Sequence, residues 1–141
     1  MVAMAIALSA AIENSGLARA ISTAFTALFA PVGDIGLMFG IYIATVLLNS
    51  MVSNSAAVSL TFPIAFRIAQ ESPTISVKAM SYMLMMAGSA DFSTPIGYQT
   101  NLMVYSIGGY RFSDYIKFGV PLQIICAIIT VPVCYYAYPK L

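Results

Sequence analysis

Asn49-Ser50-Met51-Val52-Ser53-Asn54-Ser55 is a run of mostly small and polar side chains set inside apolar sequence. Residues 36–48 before it are apolar or weakly polar throughout, and residues 56–66 after it form a second apolar arm. As helices these arms would be about 20 Å and 16 Å long, short of the roughly 30 Å of a bilayer's hydrocarbon core. One straight helix over 36–66 would measure about 46 Å, overlong and with its most polar point near the middle. A re-entrant hairpin over 36–66, with Ser53-Asn54-Ser55 at its tip, removes both misfits. The alternative is an ordinary span over 36–55 with its polar end at the interface.

A second interruption, Asp91-Phe92-Ser93-Thr94-Pro95, divides the apolar stretches 79–90 and 96–107. Together these have the length of one span, so 79–107 reads as a broken helix. Breaking a helix in lipid frees backbone amides and carbonyls that have no water to bond. Such breaks persist where they line a ligand site, and two of them point to a carrier's substrate site.

Composition sets the surroundings. The 141 residues are 60% hydrophobic and 8% charged, with mean hydropathy +0.89. Average globular chains carry roughly 25% charged residues, so this chain cannot cover a water-facing surface and is expected to be an integral membrane protein. A net charge of +1 without a basic run gives no nucleic-acid surface. There is no histidine, and Cys126 and Cys134 lie eight residues apart in one apolar stretch. That spacing favours two packing thiols over a disulfide or a zinc site. With no paired carboxylates at the breaks, neither an enzyme nor an organic cofactor is expected.

Outward from the breaks, the chain reads as one all-α membrane domain over 1–141. Residues 1–12 are apolar and stop at Glu13-Asn14-Ser15-Gly16, and 17–30 follow with Arg19 as their charge, making a broken span over 1–30. No basic region precedes the apolar opening, so it reads as a span entered partway through a larger carrier rather than as a signal peptide. Arg67 to Lys78 is the longest polar connector, and 108–117 an interfacial turn with aromatic and basic anchors. Residues 118–138 form the cleanest full span, with Pro132 as an expected kink. Met80, Met83, Met85 and Met86 suit core filling better than metal binding.

Each break pairs a helix end, partly negative through its unbonded carbonyls, with a helix start, partly positive through its free amides. Ser55 can cap the helix starting near 56; Thr94 can cap another, with Pro95 at its first position. Carbonyls and the oxygens of Asn49, Ser53, Asn54 and Ser93 can ligate sodium. Amides at 55–57 and 95–97, with the hydroxyls of Ser53, Ser55 and Thr94, can hold the oxygens of a carboxylate or sulfate. No arginine or lysine lies inside either break, so a co-bound sodium ion would supply the positive charge. Asp91 is the one carboxylate there; it would repel an anion, and can cap, bind a cation, or pair with Arg111 or Lys117.

At these residues the chain resembles the divalent anion:sodium symporters, the sodium/dicarboxylate and sodium/sulfate carriers. Ser53-Asn54-Ser55, then Ala-Ala-Val and Pro63, resembles the Ser-Asn-Thr tip of that family's second re-entrant hairpin. Ser93-Thr94-Pro95-Ile-Gly-Tyr-Gln-Thr-Asn101, then Gly-Gly-Tyr-Arg-Phe-Ser-Asp-Tyr, resembles the unwound helix that follows and is most similar to the sulfate-type permeases. The resemblance implies substrate contacts at Ser53, Asn54, Ser55, Thr94 and Pro95. It implies one sodium site at Asn49, Val52, Asn54 and Ser93, with Ser55 in place of the family's Thr and Asn49 where a small hydroxyl residue is expected. It further implies the C-terminal part of an inverted-repeat, elevator-type transporter, homodimeric through parts outside this chain and embedded in a plasma or inner membrane. Alternatives are a citrate–metal, arsenite or sodium/proton carrier of the same superfamily, or a non-transporting membrane subunit.

Overall fold

In a computed structural model of the chain, the described residues are 7, 11, 14–16, 23, 24, 27, 28 and 30–140. The broken span expected over 1–30 falls mostly outside them. A short 3-10 turn, Ala30–Val32, leads into five helices: α1 (Gly33–Asn49), α2 (Asn54–Glu71), α3 (Val77–Ser89), α4 (Gln99–Gly108) and α5 (Phe112–Ala137). Gly33, at φ +77°, makes the entry to α1, a left-handed conformation that side-chain-bearing residues adopt at a steric cost.

α1 and α2 form an antiparallel helical hairpin. The Thr74 hydroxyl, just beyond α2, donates to the Asp34 carboxylate at the start of α1. Leu37 and Met38 share a buried core with Ile68 and Ala69. The chain turns between the arms at residues 50–53. Each arm is longer than the apolar pattern suggests, 17 residues in α1 and 18 in α2, or about 26–27 Å. The extra turn of α2 enters the expected polar connector, where Arg67 Nε and Glu71 pair at 3.2 Å one helical turn apart. Pro63 lies inside α2.

α3 starts with the Ser76 hydroxyl accepting the Ala79 amide at 3.0 Å, a side-chain N-cap. It packs on both hairpin arms and buries Met80 and Met83, whereas Met85 and Met86 face outward. Half of that methionine set therefore fills the core. Residues 90–98 are non-helical, a longer interruption than Asp91–Pro95. α4 closes at Gly109, φ +64°, a left-handed helix stop.

α5 starts six residues before the expected span. Asp114 in its first turn accepts the Arg111 amide at 2.9 Å, so residues 112–117 are helix rather than turn. The helix continues through Pro121 and Pro132. Its 26 residues are apolar enough to cross a membrane, with only 22% of the most apolar stretch buried. Ile125, Ile128, Ile129 and Val133 all face outward. An apolar face this exposed is suited to lipid rather than to water. Cys126 and Cys134 are free thiols.

Two levels organise the bundle. At the base, the last residues of α5 meet the connector between α2 and α3: the Ser76 hydroxyl donates to the Tyr138 carbonyl at 2.6 Å. The Tyr82 and Tyr138 rings stack at 4.9 Å. Lys140 Nζ donates to the carbonyls of Ala69, at 2.9 Å, and Ser72, covering the otherwise unbonded end of α2. Lys140→Met should therefore destabilise the purified carrier by about 1 kcal/mol, read as a fall of a few degrees in its thermal midpoint. At the second level, Gln123 Nε2 donates to the Ala90 carbonyl at 2.8 Å, and Gly119 abuts Phe92 and Ser93. Gly119 lies about a third of the way along α5 and Gln123 close to its middle. The hairpin arms and α3 thus run from the base to about mid-depth of a membrane-length helix, where both interruptions meet.

Candidate functional site

α1 ends at Asn49 because the chain turns: Met51 N and Val52 N both bond the Leu48 carbonyl at 3.0 Å. Ser53 takes an extended conformation (φ −67°, ψ 151°) at the N-cap of α2, and its side chain makes no capping bond. The first intrahelical bond of α2 is Ala57 N to Ser53 O at 2.9 Å. The amides of Asn54, Ser55 and Ala56 precede it, in the position where helices bind anions. Ser55, expected as the cap, sits inside the helix, where its carbonyl accepts the Ser59 hydroxyl at 2.7 Å.

The second helix start is built alike. Tyr98 occupies the N-cap of α4 in extended conformation, also without a side-chain cap, and Leu102 N bonds the Tyr98 carbonyl at 3.1 Å. The amides of Gln99, Thr100 and Asn101 thus open α4. The sequence pattern placed this start at Pro95. Ile96 and Tyr98 extend the apolar pattern through a segment that is not helical.

Between the two starts lies a cavity of about 270 Å³ lined by Ser50, Met51, Val52, Ser53, Ile96, Gly97 and Gln99. Both interruptions therefore face one space, and no basic side chain lines it. Of the expected substrate contacts, Ser53 is on the wall, and Asn54 and Ser55 follow on the first turn of α2. Thr94 and Pro95 stand behind it. The Thr94 hydroxyl donates towards Asp91, 3.3 Å from each carboxylate oxygen, and accepts the Gly97 amide at 3.2 Å; Pro95 is fully buried.

The expected sodium ligands occupy different surroundings. Asn49 is fully buried. Its Nδ2 donates to the Gly88 carbonyl at 2.8 Å, tying the end of α1 to the end of α3, while its Oδ1 has no hydrogen-bond partner. Buried acceptors left unbonded are uncommon, and a cation would satisfy this one. Val52 lies on the cavity wall. Ser93 instead lines a neighbouring apolar groove between α1 and α5, together with Tyr42, Val46, Ser50, Gln123 and Ile124. Asn49→Ala would leave the Gly88 carbonyl unbonded and cost about 1–3 kcal/mol, seen as a lower thermal midpoint even without sodium.

Asp91 is paired with neither Arg111 nor Lys117. Among the described residues the one ion pair is Arg67–Glu71. The Asp91 carboxylate instead accepts from Ser50 Oγ at 3.4 Å as well as from Thr94, linking the hairpin turn to the second interruption. Asn101 Nδ2 fastens that interruption further by donating to the carbonyls of Asp91 at 3.1 Å and Thr94 at 3.2 Å. The side chains of Ser50, Gln99, Asn101 and Gln123 were given no role from sequence. Their signal was present, however, as isolated polar or small residues in membrane-grade sequence.

An outward apolar face, a membrane-length helix and two helix starts at one cavity define an integral membrane protein of transporter type. The chain belongs to the citrate transporter (CitMHS) family, which it matches over residues 1–141. It is 48% identical over 124 residues to a putative sulfur deprivation response regulator of Chlamydomonas reinhardtii, covering 88% of this chain and 21% of that protein. Sodium/sulfate cotransporter 1 of the same alga is 38% identical over 124 residues, covering 87% and 14%. An uncharacterized transporter of Synechocystis is 40% identical over 125 residues, covering 89% and 20%. The chain thus spans about a fifth or less of these relatives' lengths. No solved structure matches it.

Proposed function

We propose that this chain supplies half of the substrate site and one sodium site of a sodium-coupled secondary carrier for divalent anions, sulfate foremost. The observation that carries this is the pair of uncapped helix starts, α2 and α4, on one cavity without a basic side chain. The anion accepts hydrogen bonds from the amides of Asn54–Ala56 and Gln99–Asn101 and from the Ser53 hydroxyl, which replace water as it enters. Thr94 and Pro95 hold the second interruption in place from behind. Sodium binds towards the helix ends, with Asn49 Oδ1 as its buried ligand and Val52, Asn54 and Ser93 as the other candidates. It supplies the positive charge that no lysine or arginine provides, which makes anion uptake depend on sodium.

The meeting of both interruptions near mid-depth of α5 supports a re-entrant α1–α2 hairpin. In that arrangement the complete carrier contributes a matching half-site from outside this chain, is homodimeric, and moves its site across a plasma or inner membrane in the elevator manner. The names of the algal relatives favour sulfate; the family's description favours citrate as the second reading. Labelled sulfate, succinate and citrate offered to proteoliposomes of the full-length carrier separate them. Sulfate uptake that needs sodium and fails in choline is the expected result. Sodium-independent uptake, or citrate uptake that excludes sulfate, would contradict the proposal.

A further inference from the structure

Apart from the anion cavity, a larger one of about 390 Å³ lies between α4 and the first turns of α5, within the size range of small-molecule sites. Phe92, Tyr110, Tyr115 and Phe118 give it four aromatic rings, and Asn101 and Asp114 its polar groups. No basic side chain lines it. The Tyr110 and Tyr115 rings meet edge to face, 6.2 Å apart and at 76°, and so form a corner. Asp114 is half-buried in the same lining. Its Oδ2 accepts the Arg111 amide at 2.9 Å, and its Oδ1 has no partner among the described residues. Aromatic rings around one carboxylate with an open acceptor recognise an ammonium group, by cation–π attraction and a charge-assisted hydrogen bond.

The surroundings describe what carries that ammonium. Asp114 lies in the first turn of the membrane-length helix, which places it at the level of lipid headgroups. Arg111 and Lys117 stand three residues to either side of it, exposed and in no ion pair, where a phosphate next to the ammonium would meet them. Phe118, Leu122 and Ile125 follow Asp114 at helical spacing on one face of α5, and all three are exposed. From Asp114 to Ile125 that face runs about 17 Å, close to the roughly 15 Å of hydrocarbon in one leaflet. Across the cavity, α4 has no buried residue.

We propose that this cavity binds one bilayer phospholipid with a primary-ammonium headgroup. The ammonium sits among Tyr110, Tyr115 and Asp114 Oδ1, and the phosphate faces Arg111 and Lys117. An acyl chain follows Phe118, Leu122 and Ile125 down α5. A primary ammonium is favoured over a quaternary one because Asp114 Oδ1 accepts a hydrogen bond that a quaternary group cannot donate. The seated lipid bridges α4 and α5 and rests against Asn101, whose side chain holds the second interruption.

The test measures lipid binding without sulfate or sodium, so its outcome is independent of the transport reading. The full-length carrier, purified in a neutral detergent, is melted with increasing dioleoylphosphatidylethanolamine. Dioleoylphosphatidylglycerol, which lacks the ammonium, and dodecylammonium, which lacks the phosphate, are the comparisons. Phosphatidylethanolamine should raise the thermal midpoint saturably, and each comparison compound far less. Asp114→Asn keeps an acceptor for the Arg111 amide but removes the charge, and should raise the half-saturating lipid concentration about tenfold or more. Tyr110→Leu, at a half-exposed ring, should raise it roughly three- to tenfold and decides the matter if Asp114→Asn does not fold. Equal protection by phosphatidylglycerol would overturn the site, as would unchanged half-saturation in the variants that fold. Equal protection by dodecylammonium would overturn a phospholipid as the occupant. Absence of saturable protection, the result if another part of the carrier fills the cavity, would overturn it too.

Discussion

Replacing Gln99 by proline should raise the sulfate concentration for half-maximal uptake by about 10- to 100-fold, whereas replacing it by alanine should raise it less than about threefold. Gln99 is the first residue of α4, and Tyr98 before it is already extended at φ −127°, ψ 128°. Proline fits a first helical position after an extended residue, so helix and break should survive. The exchange removes a backbone N–H together with the Gln side chain; alanine removes the side chain alone. The difference between the variants isolates the amide. A hydrogen bond to a charged group contributes about 1.5–3 kcal/mol, which gives the stated range. Equal effects of proline and alanine would show that the anion does not use the start of α4. Uptake of labelled sulfate over a concentration series, at saturating sodium, reads the result.

Alanine at Gly119 should abolish uptake and lower the amount of carrier recovered from the membrane. The added Cβ would lie 2.6 Å from Ser93 Cα and nearer still to the Phe92 carbonyl group. These are backbone atoms, so no side chain can swing aside. Either α5 or the second interruption must move, and overpacking of this kind typically costs about 1–3 kcal/mol or more. The same movement strains the Gln123–Ala90 bond one helical turn further on. Gly108 supplies the control. Its Cβ would meet the ring of Tyr110, 2.4 Å from Cε2, and that ring is a half-exposed side chain held only edge-on by Tyr115, not backbone. Gly108→Ala should therefore leave carrier level and uptake within about twofold, since surface changes of this sort usually alter stability by less than about 0.5 kcal/mol. Comparable losses from both variants would mean that the packing of α5 on the second interruption is not what holds the site.

Much of this arrangement was legible in the polar run at 49–55, because seven successive residues poor in bulky aliphatics are hard to place anywhere in lipid except at an interruption. The helix does stop at Asn49 and restart at Asn54. The apolar run after 118 likewise marked the membrane-length helix. Element ends were less legible, since they depend on local bonds rather than hydropathy. Glu71 extends α2 by pairing with Arg67, and Asp114 starts α5 early by accepting the Arg111 amide. The second interruption was underestimated because Ile96 and Tyr98 look like helix-face residues, although their segment is held non-helical by Thr94 and Asn101. The cross-bundle bonds of Asn49 and Asp91 were not legible in the sequence. They depend on Gly88 and Ser50 meeting them across the bundle, and no spacing along the chain encodes that.

The account depends on helix starts, rather than basic side chains, holding the anion inside the membrane. A cryo-electron microscopy map of the full-length carrier with sodium and sulfate tests this most directly. Tetrahedral density within hydrogen-bonding reach of the amides of Asn54–Ala56 and Gln99–Asn101 is the expected result, with residues 50–53 within the hydrocarbon layer. Sulfate bound away from both helix starts, or residues 50–53 lying at the membrane surface, would contradict it.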